Sequence, residues 1–172
     1  MDPESGQRIL RWMTSMELTI RRRTEKDIKE FITWTYDGIY SFYDNNSQAE
    51  KIEGLKESVH LERDFSVVDE KENLIGNCEF YDIEEDGKDI MVLGVQMKPS
   101  MTGKGYGSTF VKAIIDQGRE RLKFTHLELA VADFNERAIR TYEKEGFRKR
   151  GEFDNEIRGQ VYQFVIMSKD WE

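Results

Sequence analysis

A glycine-rich junction, Thr102-Gly103-Lys104-Gly105-Tyr106-Gly107-Ser108, separates an alternating apolar run from a run with helical period. The chain must turn tightly there, because glycine reaches backbone conformations closed to other residues. The first N–H groups of the following helix have no intrahelical partner. With the helix dipole they form an anion site, and a phosphate or pyrophosphate is the expected guest. Other readings compete at this point. A Walker A loop needs Gly-Lys-Ser/Thr at its end, but Ser108 follows Gly107 directly. A dinucleotide fingerprint needs a last glycine where Ser108 or Phe110 stands, although the acidic Glu128 lies at a suitable distance downstream. A plain capping turn would also explain the loop taken alone.

The surrounding pattern sets the architecture. A short strand is expected at Met16–Ile20, and Thr24 caps an amphipathic helix carrying Ile28, Phe31 and Ile32. An aromatic stretch, Trp34 to Tyr43, leads through Asp44-Asn45-Asn46 to a second helix, roughly Ser47 to Val59. Strands follow at Phe65–Val68, Leu74–Ile83 and Ile90–Met97, with a hairpin turn at Glu84-Glu85-Asp86-Gly87. After the glycine loop comes a helix with the stripe Phe110, Val111, Ile114, Ile115 and Leu122. Then come a strand at Leu127–Val131, a helix capped by Asn135 and ended by Gly146, and strands near Phe147–Phe153 and Val161–Met167. The order β-α-α-β-β-β-α-β-α-β-β calls for a mixed sheet with helices on both faces. The strands flanking the glycine-loop helix form a βαβ crossover and should be parallel neighbours. Residues 1–15 are read as an extension or tail outside the fold, and 16–172 as a single domain.

Composition narrows the function. The net charge of -8 argues against sequence-independent nucleic-acid binding and mildly favours cationic substrates such as amines. The lone cysteine, Cys78, cannot form an intramolecular disulfide, which suits a cytoplasmic protein. It sits in a strand pattern and reads as a buried structural thiol. Two histidines and one cysteine offer no metal-ligand spacing, so no metal is expected. No apolar run is long enough to span a membrane, and no secretory signal is visible.

Two segments together resemble a known family. Val95-Gln96-Met97-Lys98-Pro99 leads into Gly103-Lys104-Gly105-Tyr106-Gly107, and Asn135 to Phe147 reads Asn-Glu-Arg-Ala-Ile-Arg-Thr-Tyr-Glu-Lys-Glu-Gly-Phe. The first is similar to the Gln/Arg-x-x-Gly-x-Gly/Ala motif of the GNAT acetyltransferases. The second is similar to their Asn-x-x-Ala-x-x-x-Tyr-x-x-x-Gly-Phe pattern. The resemblance covers Met16 to the C-terminus in element order and is sharpest from about Ile90 to Phe153. It is nearest the branch of ribosomal-protein N-terminal and related amine acetyltransferases. Two positions depart from the pattern. Thr102 replaces the loop's Gln/Arg, and Ala130 stands where some members carry a glutamate base.

The resemblance implies a GNAT-like α/β fold with a central, mostly antiparallel sheet of six or seven strands, splayed between strands 4 and 5. Acetyl-CoA would lie in the splay as cosubstrate, its amides paired with the main chain of Val95, Gln96 and Met97. Thr102 to Ser108 would cradle the pyrophosphate, and Asn135 would cap its helix and touch the cofactor. Tyr142 would act as general acid toward the departing thiolate, in a direct transfer within a ternary complex. Taken without the motif, Tyr142 is equally a core aromatic of its helix. Glu79 and Glu128 are candidate bases, as each lies in a central strand; either could instead be an ordinary strand residue. Trp34, Tyr36, Tyr40, Phe42 and Tyr43 are candidates for the acceptor pocket, or for a patch anchoring the first helices. The acceptor is expected to be a primary amine, on a small molecule or a protein N-terminus. The resemblance also allows a homodimer. A catalytically degenerate acyl-CoA sensor is the competing function, and a nicotinamide-dependent oxidoreductase a third.

Overall fold

The structure is a computed structural model that describes residues 16–172. The reading of residues 1–15 as a tail therefore lies outside the described residues. Seven strands form one sheet: β1 (Thr19–Arg22), β2 (Asp64–Val68), β3 (Leu74–Glu85), β4 (Lys88–Met97), β5 (His126–Ala132), β6 (Arg148–Ile157) and β7 (Gln160–Asp170), in the order β1-β2-β3-β4-β5-β7-β6. Every neighbouring pair is antiparallel except β4 and β5, which are parallel as the crossover requires. The helices are α1 (Glu25–Ile32), α2 (Ala49–Glu57), α3 (Gly107–Leu122) and α4 (Glu136–Lys144).

Local chemistry explains most boundaries. Thr24 and Asp27 form a reciprocal capping box at the start of α1. Asp27 is buried and also binds Arg21 and Ser66, so the cap ties α1 to the sheet. The hairpin turn is tighter than the sequence pattern suggested. β3 runs to Glu85, β4 starts at Lys88, and Asp86 and Gly87 take φ of 51° and 77°, the two-residue turn that matches strand twist. The first strand likewise begins at Thr19 rather than Met16. Gly146 closes α4 at φ 93°, with Phe147 N–H reaching back to Tyr142 O.

Two apolar clusters bracket the sheet. The larger joins α3 (Phe110, Val111, Ile114, Ile115) and Tyr142 of α4 to the strands. The smaller gathers Ile28, Phe31 and Trp34, with Leu55 of α2 packed against it. Close approach of α3 depends on glycine in two places: a Cβ on Gly118 would stand 2.4 Å from Phe80, and one on Gly76 2.5 Å from Phe110. Gly76 and Phe80 thus face α3. By the strand period, Asn77 and Glu79 project to the other face, toward α2.

Candidate active site

β4 and β5 meet at one register point, Val92↔Glu128, and diverge beyond it. β5 has a full antiparallel partner in β7, and β4 one in β3, so the gap opens between two otherwise intact half-sheets. Lys98 N–H donates to Ile75 O at 2.8 Å. Antiparallel alternation then turns the peptide groups of Gln96 toward β3 and those of Val95 and Met97 toward the gap. Met97 O already accepts from Tyr36 Oη at 2.6 Å. Val95 is therefore the residue that presents both its peptide groups to the opening.

The glycine loop closes one end of this gap. Gly103 and Gly105 take φ of 70° and 84°, in the left-handed region that favours glycine. Among the described residues no side chain caps α3, and its first intrahelical bond runs from Phe110 N–H to Tyr106 O at 3.0 Å. The N–H groups of Gly107, Ser108 and Thr109 thus lack intrahelical partners and suit an anion. A Cβ on Gly105 would meet nothing within 4 Å, whereas one on Gly107 would stand 2.9 Å from Thr141 Oγ1. The first glycine leaves the approach open; the second lets α3 and α4 touch. Arg137, Arg140 and Lys144 of α4 line the same end.

The aromatic segment after α1 forms the facing wall. Gln96 anchors it: its Oε1 accepts from Asn45 at 2.7 Å and from Asn77 at 3.1 Å, and its Nε2 donates to Tyr43 O at 3.2 Å. Arg137 stacks over the Tyr40 ring at 4.1 Å, and Asn135 Nδ2 donates to Tyr43 Oη at 3.2 Å. The wall therefore spans the gap, tied to β4 on one side and α4 on the other. Together these elements enclose a cavity of about 890 Å³.

Beyond the wall the cavity ends on β2 and β3. Asp64 and Glu79 are directly opposite in the register and both line the cavity. Arg23 lies beside them, its guanidinium spread over Phe65 O, Ser58 Oγ, Asn77 Oδ1 and Cys78 O. Glu79 is an exposed residue overall, but partial shielding of its carboxyl inside the cavity raises its pKa, the Asp64 carboxylate raises it further, and Arg23 opposes both.

The acetyltransferase (GNAT) domain profile matches residues 17–148. The chain belongs to the GNAT acetyltransferase family. Comparison with curated proteins finds no match. Among solved structures, the chain resembles a spermidine N-acetyltransferase SpeG chimera from Vibrio cholerae and hSSAT at TM-score 0.71 and 23% identity, covering 89% of this chain and 95% of that one. A GNAT acetyltransferase from Bacillus anthracis matches at TM-score 0.71 and 20% identity, covering 91% and 96%. Spermidine N-acetyltransferase from Vibrio cholerae in complex with CoA and spermine matches at TM-score 0.64 and 23% identity, covering 89% and 95%. At these identities the likeness is one of fold. GNAT members draw their acetyl group from acetyl-CoA, and this chain is an acyl-CoA N-acetyltransferase.

Within this GNAT cleft, the expected site residues divide. Tyr142, Glu79, Asn135, Val95, Gln96, Met97, Thr102, Gly103, Gly105, Tyr106 and Gly107 line the cavity, as do Tyr36, Tyr40 and Tyr43. Tyr142 is 6% exposed, packs edge-on against Phe147, and makes no hydrogen bond through its hydroxyl among the described residues. Burial, and secondarily Tyr43, pushes its phenol above the ordinary tyrosine value, so it stays protonated at neutral pH. Asn135 caps α4 by accepting from Ala138 N–H at 3.2 Å.

Five expected residues lie elsewhere. Glu128 is absent from the lining. Its carboxylate is held by Arg150 at 2.7 and 2.8 Å and by His126 at 2.7 Å, and these partners hold its pKa below the usual value against the cost of burial. A carboxylate so engaged is an anchor, not a base. Trp34 packs in the α1 core against Phe31. Phe42 sits among Phe134, Tyr162 and Phe164, where it pins the aromatic wall to β7. The Lys104 side chain is exposed and outside the lining, and Ser108 offers its N–H rather than its side chain. The main chain of Gln96 is turned away from the gap, so its part is to anchor the wall.

Asp64, Lys51 and the basic face of α4 were not singled out from the sequence. The α4 face was legible, since positions 137, 140 and 144 fall on one side of a helix beside the loop. Asp64 has a fainter signal, an acidic residue directly before the largely apolar run Phe65–Val68. Among the described residues, no helix is long and apolar enough to cross a membrane, and no group of three metal-ligating side chains converges.

Proposed function

We propose that the protein transfers the acetyl group of acetyl-CoA directly to a primary amine bound between the aromatic wall and β2/β3. The observation that carries this reading is the single β4–β5 register pair, beyond which the strands part toward the start of α3. The loop amides and the α4 cations suit the phosphates, and the peptide groups of Val95 suit the amides of the pantetheine arm. Both lie along one continuous cavity, so the residues fit this cosubstrate.

The remaining residues supply proton traffic. A neutral amine is needed for attack, and Glu79, with its raised pKa, accepts the proton that the ammonium gives up. The amine nitrogen then bonds to the thioester carbon, and the carbon–sulfur bond breaks. Tyr142 donates its proton to the departing sulfur and regains one, through water in the open cavity, from the nitrogen as the amide forms, while Glu79 releases the first proton to solvent. The competing sensor reading draws on Ala130, where some family members have a glutamate; Glu79 supplies a carboxylate from another strand. The test is CoA release on incubation with acetyl-CoA and a panel of primary amines. Release with at least one amine is expected. Tight acetyl-CoA binding with no release under any acceptor overturns the proposal in favour of a sensor.

A further inference from the structure

The amine-binding half of the cavity has an unusual charge arrangement. Asp64 is only 8% exposed, yet no hydrogen bond among the described residues reaches its carboxylate. Its nearest cation, Arg23 Nη1, is 4.0 Å away and is spread over four other acceptors. Glu79 likewise makes no side-chain hydrogen bond among the described residues. Its chain lies over Gly94, where an added Cβ would stand 2.9 Å from its Oε1. Asp64 and Glu79 stand directly opposite on neighbouring strands, and like charges so placed repel each other. Among the described residues, neither carboxylate receives a hydrogen bond from a cation, and Arg23 approaches only Asp64, at 4.0 Å.

The rest of this half restricts what a cationic donor to the pair belongs to. Lys51 lines the far wall, its ammonium donating to Tyr43 O at 3.2 Å and Asp44 O at 3.0 Å. A second positive charge on the acceptor would run toward it. Apolar surface flanks the carboxylates instead: Leu55 and Leu61 line the cavity, and Leu61 is 50% exposed despite its size. Tyr40 and Tyr43 complete that surface.

Resting on the acetyl-transfer reading above, we infer that Asp64 and Glu79 together receive the single ammonium of a monocationic amine with an apolar body. Asp64 positions the nitrogen, Glu79 takes its proton, and Lys51 selects against diamines and polyamines.

The test compares acceptors of matched body. Phenethylamine and an n-alkylamine are set against the alkyldiamine of equal length and spermidine, with CoA release as readout. Monoamines are expected to exceed diamines by about tenfold or more in kcat/KM, with Lys51→Gln narrowing that gap. Asp64→Asn should raise the amine KM by about 10- to 100-fold, with acetyl-CoA affinity unchanged and Asp64→Glu recovering part of the loss. Unchanged acetyl-CoA affinity also certifies that the variant is folded; if it does not fold, the wild-type acceptor ranking decides. A preference for spermidine, or an unaltered amine KM in a folded Asp64→Asn, overturns the inference while leaving acetyl transfer standing. Absence of CoA release with every amine sinks the acetyl-transfer reading itself, and this inference with it.

Discussion

Replacing Arg150 with methionine tests whether the vertex of the splay is held electrostatically. Glu128 stands at the only β4–β5 register point and is 3% exposed. Arg150 grips both its oxygens and reaches Glu85 on β3 at 2.7 Å, while His126 bridges Glu128 and Asp170. Methionine keeps most of the aliphatic stem but leaves the carboxylate with His126 alone. Breaking a fully buried pair costs about 3–5 kcal/mol. Arg150 is itself one-third exposed, so its loss readmits water to Glu128, and a discounted cost of about 2 kcal/mol is expected. At about 2.1 cal/mol/K of unfolding entropy per residue, a chain of this length loses roughly 5–6 °C in Tm. The pH dependence identifies the cause. Glu128 has a depressed pKa in the folded state, so its contribution is present above the unfolded value and lost as pH falls through the folded one. Wild type and variant should therefore converge in acid. His126 behaves oppositely. Its carboxylate partners raise its pKa against desolvation, so its contribution is complete below the unfolded value and fades as pH rises through the folded one. Thermal unfolding of both proteins from neutral to acid pH measures this. A Tm difference of undiminished size in acid, or none at neutral pH, refutes the reasoning.

Other outcomes concern the cleft. Tyr142→Phe removes only the hydroxyl, which has no partner among the described residues; kcat should fall at least tenfold with acetyl-CoA affinity kept, and an unchanged single-turnover rate would remove Tyr142 from the acid role. Gly105→Asp combines a strained backbone at φ 84° with a negative charge beside the free N–H groups of α3, so acetyl-CoA binding by calorimetry should vanish in a folded variant. Gly94→Ala would drive its methyl into Glu79, 2.9 Å away at a movable tip; stability should change by less than about 1 kcal/mol while kcat/KM drops, and full activity would argue against Glu79 as base.

Much of the site was legible because it depends on local chemistry. The glycine loop needs positive φ and an uncapped helix start, and both are written into adjacent residues. The same holds for the Thr24 cap, the Asn135 cap and the Gly146 stop. The residues less legible along the chain share a different character. Glu128 and Glu79 are both acidic residues in central strands, and nothing in their neighbours along the chain distinguishes them. Their roles diverge because Arg150, distant in sequence, folds onto one, while Asp64 stands opposite the other. Trp34 and Phe42 are likewise drawn away from the cavity lining by packing partners on other elements.

The chain alone determined its element order, the parallel crossover and the glycine turn into α3, since these follow from period, capping and backbone freedom among near neighbours. Only the tertiary structure decided which carboxylate faces the cavity and which aromatics line it. Those outcomes depend on strand register and on contacts between distant segments, where one residue's shift sends a side chain to the opposite face.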